Sequence, residues 1–234
     1  MIKLFKKKLE KKILSKYSIL ITCLVLTVIC ALVAISSSTD LFRYDLPREN
    51  FVTLITEVYA GVPCDESIDE DSLDHYSSEW CFGDQILGSR ASGGVIKQVG
   101  DDSYILTAAH FCDIQDVEEF LQYEIDVPVF IENTVYKDGE HYSFSVLKSD
   151  PVMDICIIKS EYRVEQNLIF SHEMPDVGEP AVTISSPLGI AEKNINMHFS
   201  GTFSGCNGAS CFFTIPAISG SSGSIILNSD NEII

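Results

Sequence analysis

A glycine- and serine-rich segment near the end of the chain, Gly220–Ser224, most constrains what this sequence can fold into. It reads Gly-Ser-Ser-Gly-Ser and puts Ser222 between small residues on both sides. Small neighbours permit a tight turn that exposes a hydroxyl and leaves backbone N–H groups free to face a developing oxyanion. Gly/Ser runs also form ordinary flexible loops, so the segment by itself indicates a nucleophile only weakly.

Two upstream segments strengthen this indication. His110 ends the run Thr-Ala-Ala-His, and Asp154 leads the apolar run Ile-Cys-Ile-Ile. A carboxylate in front of a buried strand is costly unless something hydrogen-bonds it. An imidazole N–H is a suitable partner, because the ring needs an acceptor to fix its tautomer. Asp150 competes for this role, but the proline that follows places it in the preceding turn.

The segments around these residues favour β-structure. Residues 92–96 and 103–107 read as two strands joined by a turn, and residues 127–136 and 141–148 alternate as a hairpin would. Three further β-prone runs follow, each bounded by turn residues. We therefore expect an all-β body that delivers His110 at a strand end.

These segments resemble the trypsin-like (chymotrypsin-fold) serine peptidases over about residues 83–234. Ser-Gly-Gly-Val-Ile followed by Ile-Leu-Thr-Ala-Ala-His is similar to that family's first-barrel motif. Asp-Ile-Cys-Ile-Ile resembles its aspartate-led strand, and Gly-Ser-Ser-Gly-Ser resembles its nucleophile loop. The runs Val-Gly-Glu-Pro and Ser-Pro-Leu-Gly resemble the HtrA/Deg branch of the family.

The resemblance implies two six-stranded antiparallel β-barrels and a serine endopeptidase that acts on protein or peptide substrates without a metal or cofactor. It implies that Ser222 is the nucleophile, that His110 is the general base and that Asp154 orients the histidine. It also implies that the N–H groups of Gly220 and Ser222 form the oxyanion hole. Two other interpretations compete: a catalytically inactive binding module of the same fold, and an unrelated acidic exported scaffold.

The sequence departs from the family pattern in the second barrel. The family continues beyond the stretch that ends here at Ile234, with a strand that walls the specificity pocket and a C-terminal helix. We therefore expect the second barrel to be incomplete, which is the reason to keep the inactive alternative. Pro216 stands where trypsin-type enzymes place an aspartate, so the sequence favours a small or apolar substrate side chain over lysine or arginine.

The N-terminal segment is typical of a membrane-targeting sequence. Residues 1–16 hold seven lysines, and the run that follows, 17–35, is uncharged. Its apolar part, 18–35, reaches about 27 Å as a helix, near the hydrocarbon thickness of a bilayer. Lysines stay on the cytoplasmic side, so we expect a single-pass signal anchor with the catalytic domain outside the cytoplasm. A cleaved signal peptide is the competing interpretation, because Ala31 and Ala34 supply small residues near a cleavage point.

The charge of the rest of the chain excludes one class of partner. Residues 17–234 hold nine Lys and Arg against 33 Asp and Glu, a difference of −24. Such a body repels phosphate backbones, so we expect no nucleic-acid binding. Residues 36–82 are interpreted as a linker and an acidic segment. The acidic run at 65–74 is typical of a solvated loop. An ion-binding loop is the alternative, although the spacing of the acidic residues does not match an EF-hand.

Six cysteines lie in the expected exported part, where disulfides form. Cys206 and Cys211 flank Asn-Gly and are expected to staple a hairpin. Cys156 lies in an apolar strand and is expected to be a buried free thiol. No CxxC pair or spaced histidine cluster indicates zinc.

Cys112 departs from the commonest trypsin-like pattern, in which a cysteine directly follows the histidine and pairs with one at the start of the preceding strand. Here Phe111 intervenes, and Ser92 occupies roughly the partner position. The resemblance therefore implies that this particular disulfide is absent and that Cys112 pairs with Cys64 or Cys81 instead.

Overall fold

The computed structural model describes residues 46–64, 80–113, 128–192 and 197–234. The expected basic segment 1–16, the expected anchor 17–35 and the acidic run 65–74 lie outside these residues. Among the described residues, no helix has both the length and the apolar character that crossing a bilayer requires. The described residues form twelve strands, a one-turn α-helix and two short 3₁₀ helices, Arg48–Asn50 and Pro187–Gly189.

The first six strands close into an antiparallel barrel in the order β1-β2-β3-β6-β5-β4. They are β1 (Phe51–Pro63), β2 (Trp80–Val99), β3 (Asp102–Thr107), β4 (Val129–Lys137), β5 (Glu140–Asp150) and β6 (Ile155–Ser160). The helix α1 (Ala109–Cys112) follows β3 directly. This barrel confirms the first half of the predicted fold.

The core of the first barrel follows from the strand period of two. In β3 every second side chain is buried, with Ile105 fully inside, and the same holds for Ile158 in β6. Leu54 and Val135 complete the fully buried centre from β1 and β4. Burying each such side chain stabilises the fold by about 1.5–3 kcal/mol, so this core makes the barrel a rigid support for α1.

The last six strands form a second sheet in the order β10-β9-β8-β11-β12-β7. They are β7 (Ile169–Phe170), β8 (Pro180–Ser185), β9 (Met197–Asn207), β10 (Ser210–Phe213), β11 (Ile226–Leu227) and β12 (Glu232–Ile233). Within the described residues this sheet stays open, in agreement with the prediction of an incomplete second barrel.

One pair in the second sheet corrects the expectation of purely antiparallel strands. β12 and β7 are parallel, with Glu232 opposite Ile169. The strand β11 is antiparallel to both β12 and β8, so β12 and β8 run in the same direction. β7, which precedes β8 in the chain, also runs in this direction and therefore pairs with β12 in parallel. The backbone N–H of Ser171 bonds the carbonyl oxygen of Ile233 at 2.8 Å and extends this pairing.

Three disulfides are present in the described residues, and the predicted pairing of Cys206 with Cys211 is confirmed at the end of the β9–β10 hairpin. The prediction for Cys112 is wrong, since Cys112 bonds Cys156, while Cys64 bonds Cys81.

The expectation that Cys156 is a free thiol is therefore also wrong. β3 and β6 are neighbours, and Thr107 at the end of β3 lies opposite Cys156. Because α1 begins two residues after Thr107, its single turn carries Cys112 back over β6. This closure depends on strand pairing across the barrel, which sequence spacing does not reveal.

Candidate active site

His110 is positioned by the transition from β3 to α1. Ala108 is still extended, with φ −80° and ψ 140°, and the chain turns helical at Ala109. Ala109 is fully buried, and the ring of Phe111 packs on Phe144 with centroids 6.2 Å apart. These buried neighbours fix the orientation of α1, and the imidazole of His110 faces outward with 58% of its side-chain surface exposed.

Asp154 is positioned by the turn between β5 and β6. The Asp150 carboxylate accepts hydrogen bonds from the N–H groups of Val152 and Met153, both at 3.1 Å. Asp150, the competing candidate, therefore caps the turn. Asp154 itself has φ +53°, a left-handed conformation that aspartate tolerates better than most residues and that functional sites often hold under strain.

Asp154 and His110 meet through three hydrogen bonds. The backbone N–H of His110 donates to Oδ1 of Asp154 at 3.0 Å, and ring Nδ1 lies 2.9 Å from both Oδ1 and Oδ2. An ionised carboxylate can only accept, so the proton resides on Nδ1 and Nε2 is free to accept one. This is the tautomer that a general base of an acyl-transfer site needs.

The pKa of the Asp154 carboxyl is set by two opposing effects. Desolvation by burial raises the pKa, but the hydrogen bonds from the His110 backbone and ring, together with one from Ala109, outweigh it and hold the pKa below the usual value of 3.8. Asp154 is therefore ionised at neutral pH and able to stabilise an imidazolium on His110.

The loop that carries Ser222 connects β10 to β11 and docks on the first barrel. The backbone N–H of Ser92 donates to the carbonyl oxygen of Ser222 at 2.8 Å, and Ser92 Oγ donates to that of Gly220 at 2.8 Å. Gly223 has φ +78°, and a Cβ there would lie 2.8 Å from the backbone nitrogen of Ala108. The serine loop therefore touches the segment that delivers His110.

His110 and Asp154 are thus hydrogen-bonded, and Ser222 lies in the loop beside them. Within the described structure, no hydrogen bond joins Ser222 Oγ to the His110 ring. Catalytic hydrogen bonds are often long without substrate and shorten in the substrate complex. The described residues also include no group of three or more His, Cys, Asp or Glu side chains arranged to hold a metal ion.

The two expected oxyanion donors are aimed by bonds to the carbonyl groups that precede them. The carbonyl oxygen of Ser219 accepts from Leu188 N at 2.6 Å, and that of Ser221 accepts from Ser224 N at 3.1 Å. C=O and N–H point in opposite directions across a trans peptide, so the N–H groups of Gly220 and Ser222 are directed away from these contacts. In the described part of the chain neither N–H has a protein acceptor.

Sequence reasoning missed the supporting role of Ser92. Its hydroxyl also accepts from the N–H of Ser186 at 2.9 Å, and its carbonyl oxygen accepts from Thr107 Oγ1 at 2.8 Å. The side chain is almost completely buried. The only signal in the sequence was that a serine occupies roughly the place of a cysteine in the related pattern, and this signal did not reveal the contacts.

The turn at Ser-Pro-Leu-Gly was predicted from the sequence, but its strained backbone and its contact with the serine loop were not. Leu188 has φ +55°, a conformation that costs about 1–3 kcal/mol for such a residue. The Arg90 guanidinium donates to the carbonyl oxygen of Gly189 at 3.0 Å and helps hold the turn. This strained turn lets the backbone N–H of Leu188 donate a hydrogen bond to the carbonyl oxygen of Ser219 in the loop that precedes Ser222.

An open cleft of about 370 Å³ adjoins Gly220. Its walls include Glu57 and Arg90 from the first barrel and Leu188 and Ser219 from the second half of the chain. The cleft is large enough for a substrate side chain next to the expected oxyanion donors. Pro216 does not line it, so this is not the pocket for which the sequence indicated a small or apolar preference.

The closed first barrel and the second six-stranded sheet define the chymotrypsin-like fold, which is the fold of a class of serine endopeptidases. Residues 91–234 match the family described as the trypsin-like peptidase domain, and the chain therefore belongs to the trypsin-like peptidase family.

Three solved structures are similar to this chain at low sequence identity. A serine endoprotease from Yersinia pestis is 17% identical with a TM-score of 0.46, covering 76% of this chain and 51% of its own. The active form of the Rv3671c protease from M. tuberculosis is 14% identical with a TM-score of 0.47, covering 78% and 67% respectively. The inactive form of a mutant of Rv3671c is 13% identical with a TM-score of 0.49, covering 80% and 76%.

The chain spans about half the length of the Yersinia pestis structure. A search of the curated proteins found no match.

Proposed function

We propose that this chain is a serine endopeptidase in which His110, Asp154 and Ser222 form the catalytic triad. The observation that carries the proposal is the hydrogen-bonded pair of His110 and Asp154, with Nδ1 2.9 Å from both carboxylate oxygens, in a chain of the trypsin-like peptidase family. The docking of the Ser222 loop on the same barrel supports it.

The mechanism follows from this arrangement. Ser222 Oγ attacks the scissile carbonyl carbon while His110 Nε2 takes its proton, and Asp154 stabilises the resulting imidazolium. The N–H groups of Gly220 and Ser222 bind the oxyanion, and one such donor is typically worth about 3–4 kcal/mol of barrier. His110 then protonates the leaving amine, and a water molecule activated by the same nitrogen hydrolyses the acyl-enzyme.

The proposed substrates are proteins or peptides, because this chemistry breaks amide bonds. Their side chains would occupy the cleft beside Gly220. From the proline at position 216 we propose a preference for a small or apolar substrate side chain. The acidic body of the protein supports the further proposal that nucleic acids do not bind.

Hydrolysis of a quenched-fluorescence peptide library tests the proposal. The full chain is expected to cleave peptides, and Ser222→Ala and His110→Ala are each expected to abolish cleavage. Ser229→Ala, an exposed serine in the turn after β11, is the matched control and is expected to retain full activity. Equal cleavage by the wild type and Ser222→Ala would refute the assignment.

One observation favours the alternative of an inactive binding module. The second sheet is open in the described residues, and an open barrel forms a less complete substrate pocket. A folded chain that binds peptides measurably but cleaves none of the library would support this alternative.

We also propose that residues 17–35 anchor the protein in a membrane, with residues 1–16 in the cytoplasm and the peptidase domain on the opposite side. The uncharged run and the preceding lysines support this topology. Alkaline extraction should leave the full chain in the membrane pellet and release a variant that lacks residues 1–35. N-terminal sequencing of the mature protein separates this proposal from cleavage near Ala31 or Ala34.

A further inference from the structure

The disulfide Cys112–Cys156 lies directly behind the two residues proposed to carry out proton transfer. Cys112 follows His110 by two residues in α1, and Cys156 follows Asp154 by two residues in β6. The two segments therefore run side by side with a hydrogen-bonded pair at one end and a covalent bond at the other. Neither of the other disulfides joins segments that carry a proposed catalytic residue.

The hydrogen bonds of the His110–Asp154 pair and the short helix α1 do not by themselves hold the two side chains in place. Its two side chains are 58% and 54% exposed, and exposed pairs of this kind contribute little to stability. α1 has four residues, far fewer than a helix needs to be stable by itself. Asp154 also holds a left-handed conformation, which persists only where its surroundings enforce it.

The disulfide supplies such a constraint from the protein interior. Cys156 is completely buried, Cys112 is 9% exposed, and both belong to the core cluster of the first barrel. The bond ties α1 to the strand that Asp154 leads, across 44 residues of sequence. A hydrogen bond nearby, from Ser149 Oγ to Asp113 Oδ1 at 3.2 Å, is exposed to solvent, unlike the buried disulfide.

We propose that Cys112 and Cys156 are positioning residues, whose disulfide holds His110 and Asp154 in register for proton transfer. The inference rests on the proposed triad. Loss of the bond would let α1 shift against β6, and displacements of about 1 Å in a catalytic group can cost about 100-fold in rate. The bond acts on chemistry and not on substrate binding, so its loss is expected to lower kcat and leave KM nearly unchanged.

The first test removes the disulfide in two ways, with Cys112→Ala/Cys156→Val and with Cys112→Ala/Cys156→Ala. The control is Cys206→Ser/Cys211→Ser, which opens the exposed hairpin end of β9 and β10. All are assayed as full chains at a temperature where thermal melting shows them folded. We expect kcat to fall about 10- to 100-fold in the first two variants only. Unchanged kcat, or an equal fall in the control, would overturn the inference.

A double-mutant cycle separates positioning from general stabilisation. If the bond acts through the His110–Asp154 pair, its removal in an Asp154→Ala background should lower the residual kcat less than about twofold. An undiminished loss in that background would show that the bond acts elsewhere and would contradict the inference. Failure of both cysteine variants to fold would also contradict it, because the bond would then be required by the whole barrel.

The tautomer of His110 gives a readout that does not need catalysis. Long-range ¹H–¹⁵N NMR of the full chain is expected to show the proton on Nδ1 in the wild type and in the hairpin control. Both cysteine variants are expected to show a mixture of the Nδ1–H and Nε2–H forms, and an unchanged tautomer would refute the positioning role. A wild type that has the Nδ1–H form but no peptidase activity would refute the proposed function and leave this geometric inference intact.

Discussion

Ser92 donates its backbone N–H to the carbonyl oxygen of Ser222 at 2.8 Å, which joins the first barrel to the loop of the proposed nucleophile. Its hydroxyl makes a parallel contact with Gly220 at 2.8 Å. One buried residue of β2 thus binds two carbonyl groups of the serine loop, those of Gly220 and Ser222. The two halves of the fold meet there through the Ser92 hydroxyl and main-chain groups, and the position of Ser222 therefore depends on the first barrel.

Replacement of Ser92 by alanine should lower both stability and kcat. The Gly220 carbonyl and the Ser186 N–H would lose a buried partner, which typically costs about 1–3 kcal/mol. The free energy of unfolding from urea titration and kcat from peptide hydrolysis measure the two effects. Ser145→Ala, an exposed serine of β5, is the control and should change neither. Wild-type kcat in Ser92→Ala would argue against a role for this contact in the site.

Asp154→Asn should remove most of the activity while the fold remains. The amide cannot enforce a proton on Nδ1 of His110, and the corresponding change in serine proteases lowers kcat by about 10⁴. Asp150→Asn is the matched control, because Asp150 caps the turn and does not contact His110. Its effect on kcat should be much smaller, and equal losses in the two variants would contradict the assignment of Asp154.

The lowered pKa of Asp154 predicts a dependence of stability on acid. A carboxyl whose pKa is lower when folded stabilises the protein above its unfolded pKa, and this contribution disappears as pH falls through the folded value. The difference in Tm between the wild type and Asp154→Asn should therefore shrink as the pH falls below 3.8, the ordinary pKa of the carboxyl. A difference that persists unchanged to pH 2 would contradict the ionised pair.

Gly223→Ala should be far more disruptive than Gly208→Ala. Both glycines have positive φ, so alanine is strained at each by about 1 kcal/mol. A Cβ at Gly208 meets nothing within 4 Å, whereas one at Gly223 would lie 2.8 Å from Ala108 N and also press on Thr107. We expect Gly223→Ala to lose several times more unfolding free energy in urea titration and most of its kcat. Comparable unfolding free energies for the two variants would contradict the close docking of the loop.

The sequence predicted the parts of the fold and site that depend on local pattern. The strand that ends before His110 and the apolar strand that Asp154 leads were both readable from short motifs, because residue type and strand period act over a few positions. The proline after Asp150 indicated a turn, and the Asp150 carboxylate caps that turn in the structure. The role of Ser222 remains a prediction.

Features that depend on barrel closure could not be read in this way. The pairing of Cys112 with Cys156 requires β3 and β6 to be neighbours, and cysteine spacing does not specify connectivity. The four hydrogen bonds of Ser92 join it to segments as far away as Gly220 and Ser222 and leave no local pattern. The parallel pair of β7 and β12 likewise results from chain direction across the whole second sheet.

Mapping the site of covalent modification tests the central claim most directly. The full chain is treated with a fluorophosphonate and analysed by intact mass and peptide mass spectrometry. The triad predicts one adduct per chain, on Ser222, and its loss in both Ser222→Ala and His110→Ala. A folded wild type that carries no adduct, or an adduct whose rate of formation is unchanged in His110→Ala, would contradict the account.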